Sequence, residues 1–197
     1  DNDSIIHHLG NYLEGHEIPE DLLILPVNNV LIFPYVVAPM VITDERRMAM
    51  VNEALSQGKV MGLFVQKNDE DDDSAENLHT IGTAVLILKM FRMPDGNMGI
   101  MVQGLSRIRL NEVTSTDPYL RAQVETIPEE TSESLKTEAL LREVKEVFEE
   151  IINASPLLPD ELAGAVESID NPGRLADMIV SNLRIDVMEK QDLLGTL

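Results

Sequence analysis

The sequence predicts an α+β fold: a small β-barrel or sandwich holding one inserted helix, followed by a short α-helical bundle. Three observations carry this. Leu23 to Ile42 is almost wholly apolar, yet Pro26, Pro34 and Pro39 interrupt it, and a helix interior does not tolerate proline at that density. Two long apolar runs, Thr80 to Met93 and Met98 to Leu110, flank Pro94-Asp95-Gly96-Asn97. That is a hairpin turn with a mechanism, since Pro presets its dihedral and Gly or Asn accepts positive φ. From Ser132 onward the apolar residues recur at helical spacing against a Glu, Lys and Arg face.

Taken in order, Asp1 to Asp21 has little periodicity and carries His7, His8 and His16 among Gly, Asn, Asp and Glu. It reads as a flexible tail over residues 1–22. Ile5, Ile6, Leu9, Tyr12 and Leu13 offer a second reading, a short amphipathic turn that docks on a partner. Each proline of the opening segment marks a strand start, an edge or a bulge, so two short strands are expected with Phe33-Pro34-Tyr35 as the kink between them. Thr43 is the expected cap of a helix whose Met48, Val51 and Leu55 face inward and which Gly58 ends. Val60 to Gln66 has strand length. Within the hairpin's second run, Gly104 marks a bulge or a close backbone approach, after which Arg107 and Arg109 alternate with Ile108 and Leu110. Tyr119 to Ile127 alternates again and closes the β-domain, placed at 23–128.

The helical subdomain is placed at 129–197. Its first helix is capped by Ser132 or Ser134, carries the stripe Val144, Val147, Phe148 and Ile151, and stops at Ala154-Ser155-Pro156. A second runs from about Pro159 to Ile169 and a third from about Arg174 to Leu183. The fourth begins near Asp186 and is expected to be truncated by the chain end. Together with a start at Asp1, without Met or a signal peptide, the sequence reads as a piece of something longer.

Composition excludes several classes. Among 197 residues, 35 are Asp or Glu and 15 Lys or Arg, a net charge of -20. Nucleic acid and anionic membrane surfaces are therefore unfavourable partners, since both are bound by clustered cations. There is no cysteine, so no disulfide and no thiolate nucleophile, which suits a cytoplasmic location. No apolar run approaches the length of a membrane span.

Catalytic signatures are missing as well. Gly58-Lys59 is followed by Val60, with Glu53 where the first glycine of a P-loop belongs. Gly-x-Gly-x-x-Gly, Gly-x-Ser-x-Gly and His-x-x-x-His do not occur, and no cofactor or metal is expected in this chain. Asp69 to Asp73 is the densest charge run, yet Ser74 and Thr80 stand where a calcium loop requires Gly and Glu. A solvated loop is the better reading. Glu129-Glu130 and Glu149-Glu150 are adjacent pairs that do not converge for acid and base work. Binding surface remains. Tyr35-Val36-Val37-Ala38-Pro39-Met40 has too many consecutive apolar residues for strict strand alternation, so some must face water. Met90, Phe91 and Met93 approach the hairpin turn, and Met101 lies on the strand after it. Each alone reads as core. As a group they resemble adaptable, Met-rich surfaces that accept many sequences.

Leu25-Pro26-Val27, Val30-Leu31-Ile32-Phe33-Pro34 and then Pro39 resemble the opening signature of the Lon amino-terminal domain, the substrate-recognition module of ATP-dependent Lon proteases. Val65-Gln66-Lys67, Ile81-Gly82-Thr83-Ala84, Pro94-Asp95-Gly96, Val102-Gln103-Gly104-Leu105-Ser106-Arg107 and Glu189-Lys190-Gln191-Asp192-Leu193-Leu194 extend the likeness from Leu23 to the end. The resemblance implies a PUA-like β-domain that holds apolar segments of unfolded or misfolded clients and supports self-association in a hexamer. Pro39 and Met101 occupy matching strand positions, and the expected client-contact set is Tyr35, Val37, Pro39, Met40, Met93 and Met101. Catalysis, ATP and Mg would belong to parent domains absent from this stretch. A stand-alone Lon-domain protein, a cereblon-like adaptor and a PUA-like RNA binder share the β-module. The helical region after Ser132 favours the full protease, no cysteine-rich zinc domain supports the adaptor, and the acidic balance opposes RNA.

Overall fold

The computed structural model describes residues 17–68, 74–129, 134–156, 158–159 and 161–196. The acidic run Asp69 to Asp73, the histidines of the tail, and Ser132 as a cap fall outside them. Among the described residues, six strands and five α-helices follow the predicted order: β1 (Asp21–Val27), β2 (Val37–Ile42), α1 (Glu45–Ser56), β3 (Val60–Val65), β4 (Ile81–Arg92), β5 (Met98–Ser115), β6 (Arg121–Thr126), α2 (Leu135–Ala154), α3 (Glu161–Glu167), α4 (Pro172–Asn182) and α5 (Val187–Leu194). A 3-10 turn spans Ala75–Asn77. β1 takes in Asp21 and Leu22, which composition had assigned to the tail.

The strands lie in the order β2-β5-β4-β3-β1-β6, and β6 also pairs with β5. That last pairing joins β5, β4, β3, β1 and β6 in a ring, with β2 outside it as an edge strand on β5. β1 and β3 run parallel and the other pairs antiparallel. β5 serves both arrangements: Met98–Gln103 pairs with β2, while Ile108–Ser115 pairs with β6. The prolines fall where a missing donor does least harm. Pro26 lies beyond the Asp21–Leu23 stretch that β6 covers, Pro34 is in the turn, and Pro39 is on the edge strand.

Strand alternation divides the β-domain interior in two. Leu22, Ile24, Phe64, Ala84, Leu86, Leu105 and Ile108 pack inside the ring. Leu23, Leu25, Met61, Leu63, Val85, Ile87, Ile100 and Val102 point the other way, beneath α1 and the 28–36 loop. Helix α1 starts one residue later than expected: Asp44, not Thr43, caps it, accepting from the Arg47 amide at 2.8 Å. Its buried residues are Met50, Val51 and Ala54, with Met48 and Leu55 at the margin. Arg46 holds the β5–β6 connection by donating to the Thr116 and Pro118 carbonyls at 2.8 and 3.0 Å.

Gly104 makes the predicted close approach. A Cβ there would overlap the Phe33 carbonyl, and the register slips between Ala84 and Val85, leaving Leu105 as the extra residue of a bulge. Tyr35 donates its amide to the Gly104 carbonyl and Gly104 donates to Val36, each at 2.9 Å.

Helix α2 is capped by Ser134, but its inward stripe differs from the expected one. Phe148 and Ile152 are buried with Val166 and Leu175, and Leu141 packs beside them. Val144, Val147 and Ile151 are exposed, because α3 and α4 pack on the adjoining face. Helix α4 begins at Pro172, two residues before the expected start, capped by Asn171. Asp186 and Glu189 form a capping box on α5.

One bidentate pair locks the helices to the ring. Arg107 on β5 donates to both Asp177 oxygens on α4, at 2.8 and 2.6 Å, and to the Leu194 carbonyl at 3.0 Å. Gln191 adds a bond to the Ile81 carbonyl. Burial pushes the Asp177 carboxyl above its ordinary value, and Arg107 opposes the rise. The folded state therefore holds that proton more tightly than the unfolded chain, and across this window the group's contribution to stability falls as pH rises.

Two predictions follow from this packing. Gly104→Ala should destabilise the protein by about 2 kcal/mol or more, because backbone must move. Gly164→Ala, in α3 with open space around it, should be neutral or stabilising by about 0.5–1 kcal/mol; urea unfolding of both variants checks the contrast. Asp177→Asn should cost about 3 kcal/mol at neutral pH by stranding Arg107. The loss should grow as pH falls through the carboxyl's titration, because the wild-type side chain contributes most where it is protonated, as unfolding at two pH values will show.

Candidate functional site

The site is an apolar face, uncovered among the described residues, on the part of the sheet that extends past the ring. Along β2, Ala38, Met40 and Ile42 turn toward the core, and Val37, Pro39 and Val41 turn to solvent. Val37 is 40% and Val41 55% exposed, whereas Met40 is 6% exposed. The outward set continues across the ladder. Val41 faces Gly99, which faces Phe91, and Pro39 faces Met101, which faces Lys89; Val37 faces Gln103, which is buried and ends the open face. The Phe91 ring lies over Gly99, where a Cβ would overlap it, and stays 44% exposed. Lys89 is the one ionisable side chain in these rows.

This geometry revises the expected contact set. Val37, Pro39 and Met101 come together on one face. Met40 does not join them, because strand alternation buries it in the core with Ile42 and Ile100. Tyr35 is engaged elsewhere. It has a φ of 65°, the Arg174 guanidinium lies 3.9 Å from its ring centroid, and Arg174 donates to its hydroxyl at 3.0 Å. Burial, with the Glu129 carboxylate beside it, pushes that hydroxyl above its ordinary pKa. Tyr35 thus belongs to the junction with α4. Met93 is half-buried where β4 ends, its amide bonded to the Asn97 carbonyl across the turn. Val41 and Phe91 were absent from the expected set. The signal for Val41 was available: it shares parity with Val37 and Pro39, so a strand placing those two outward carries Val41 with them.

Among the described residues no group of three or more His, Asp or Glu side chains is arranged to hold a metal ion. Nor is any described helix long and apolar enough to cross a membrane.

Fold and surface together define a β-domain with an appended helical bundle and an open apolar sheet face. Residues 21–197 match the family model described as the ATP-dependent protease La (LON) substrate-binding domain. The chain belongs to that family, the substrate-binding domain of Lon proteases. It is 35% identical to the Lon protease of Dictyoglomus thermophilum over 184 residues, covering 93% of this chain and 23% of that protein. With the Lon protease of Desulfovibrio desulfuricans it shares 38% identity over 181 residues, 91% of this chain and 21% of that one. The chain thus spans less than a quarter of these relatives. The fold is also similar to the N-terminal domain of the Mycobacterium avium complex Lon protease, with a TM-score of 0.71, 22% identity and 90% coverage of both chains. The Lon N-terminal domain protein from Xanthomonas campestris superimposes with a TM-score of 0.52 at 18% identity, covering 82% of this chain and 97% of that one.

A substitution pair checks the alternation of β2. Val41→Ser should change stability by no more than about 0.5 kcal/mol, whereas Met40→Ala should cost about 2–5 kcal/mol. Equal costs in chemical denaturation would mean that the two faces are misassigned.

Proposed function

We propose that this domain captures unfolded polypeptides for an ATP-dependent protease, holding their exposed apolar segments on the face formed by Val37, Pro39, Val41, Phe91 and Met101. The observation that carries this reading is the uncovered apolar surface itself, on a domain whose family is described as substrate-binding. Met101 and Phe91 supply adaptable apolar contact without a deep pocket, which suits clients of varied sequence. The net charge of -20 favours protein over nucleic acid as partner and resists clustering of the domain with its own kind. The domain's part is binding; peptide-bond cleavage and ATP and Mg chemistry fall to other regions of a longer cytoplasmic chain. A small, flat patch binds a flexible segment weakly, and presenting several copies in a hexamer raises the net affinity without new contacts.

Methyl-labelled protein titrated with a soluble, permanently unfolded polypeptide tests this. Val37, Val41 and Met101 methyls should shift, and Val41→Asp or Met101→Asp should each weaken binding by about fivefold, as expected when a part-exposed apolar side chain contributes on the order of 1 kcal/mol. Shifts confined to the exposed stripe of α2, or no shifts at all, would overturn the assignment.

A further inference from the structure

The strand that carries the patch also has a free edge. β2 pairs with β5 on one side, and among the described residues no strand lies on its other side. Which backbone groups point outward follows from the register. Gly104 donates to the Val36 carbonyl, and the same register continues through Ala38↔Val102, Met40↔Ile100 and Ile42↔Met98. In an antiparallel pair, every second residue directs its N–H and C=O toward the neighbouring strand. Positions 36, 38, 40 and 42 therefore face β5. Val37, Pro39 and Val41 direct their backbone groups away from it, into solvent. Proline at 39 fits this reading, since an inward-facing residue there would leave a β5 carbonyl without its donor.

We infer that a client segment binds as an added strand along this edge, in extended conformation, with its alternate side chains laid beside Val37, Pro39 and Val41. The inference rests on the client-binding reading above and gives it a mode. The edge offers N–H donors at Val37 and Val41 and carbonyl acceptors at Val37, Pro39 and Val41. Those groups are complementary to any extended backbone, whatever its sequence. Side chains then select. The same three residues that present the free backbone groups present the apolar side chains, because both alternate with period two. The substrate class is thus a stretch of about five or six residues in unfolded chains, apolar at every second position and without proline at the positions that face β2.

A second copy of this chain fits the edge less well. Two β2 strands meeting antiparallel about their centre bring Pro39 near Pro39, where donors are lacking, and each copy carries a net charge of -20.

The test uses a six-residue β-prone peptide, apolar at alternate positions, in three forms: unmodified, N-methylated on one alternating set of amides, and N-methylated on the other. Affinity is read by fluorescence anisotropy, and Val37 and Val41 amides by NMR. Strand addition requires that one methylated form lose about tenfold or more in affinity while the other stays within about twofold of the parent. The Val37 and Val41 amides should become protected from exchange. Pro39→Val, which gives the edge a further donor at an exposed position, should tighten the unmodified peptide several-fold. Equal binding by all three forms, with Val41 and Met101 methyl shifts retained, would overturn strand addition and leave the apolar patch standing. No binding and no shift by any form would overturn the patch itself. Protection of Val37 and Val41 in a peptide-free dimer would assign the edge to a second copy and overturn the inference.

Discussion

The close approach of Gly104 to the Phe33 carbonyl is the constraint from which the rest of the β-domain follows. A single strand, β5, has to accept β2 along its first third and β6 along its second half. It does so by changing its surroundings at Gly104 and Leu105. Without a Cβ, Gly104 lets the 33–36 turn settle against the strand. The reciprocal bonds of Tyr35 and Val36 with Gly104 then fix the register in which β2 begins. The bulge at Leu105 turns the remainder of β5 toward β6, closing the ring, and presents Arg107 to α4. Edge strand, ring and helical junction are thus set within four residues of one another.

The same arrangement explains why an apolar face is left open. Inside the ring, side chains of one parity meet their counterparts from the opposite strands and exclude water. Those of the other parity are covered by α1 and the 28–36 loop. β2 and the outer ends of β4 and β5 lie past the point where the ring closes, so their inner parity is covered by α1 while, among the described residues, their outer parity is left open. Val37, Val41 and Phe91 are exposed for that topological reason, not through a local failure of packing. Isolated surface apolar residues need no explanation, but several on adjoining strands do.

What the sequence revealed depended on range. Pro34 and the Pro94-Asp95-Gly96-Asn97 turn are local devices whose dihedral logic is complete within a few residues, and each is found where it is expected, while Gly104 signals a close approach without naming the Phe33 carbonyl that makes it. Which parity of β2 faces water is set by its register on a strand 60 residues away in sequence, although once Val37 and Pro39 are placed outward Val41 must join them and Met40 must turn inward. Sequence alone points Tyr35 toward clients because its partner Arg174 lies 139 positions downstream. On α2 the apolar residues occupy more than one stripe. The stripe Val144, Val147 and Ile151 has good helical spacing, yet only the placement of α3 and α4 decides that Phe148 and Ile152 go inward. Helix existence was legible and helix rotation was not, since periodicity specifies a face only up to the choice of what it meets.

A domain proposed to hold unfolded chains would face the hazard it treats, because an exposed apolar edge strand invites pairing with its own kind. Three features of this chain oppose that outcome while leaving the edge usable. β2 is short, at six residues, which limits the ladder any partner can build. Pro39 removes the central donor, so that a long uninterrupted ladder cannot form. The net charge of -20 repels a second acidic copy far more than it repels a near-neutral client segment. Each feature lowers affinity, and lower affinity is compatible with the proposed task, since a segment held too tightly could not be passed on. Proline at the middle of the proposed recognition strand would therefore act as a limit on how strongly the edge can grip, set by the same missing N–H that identified the segment as strand in the first place.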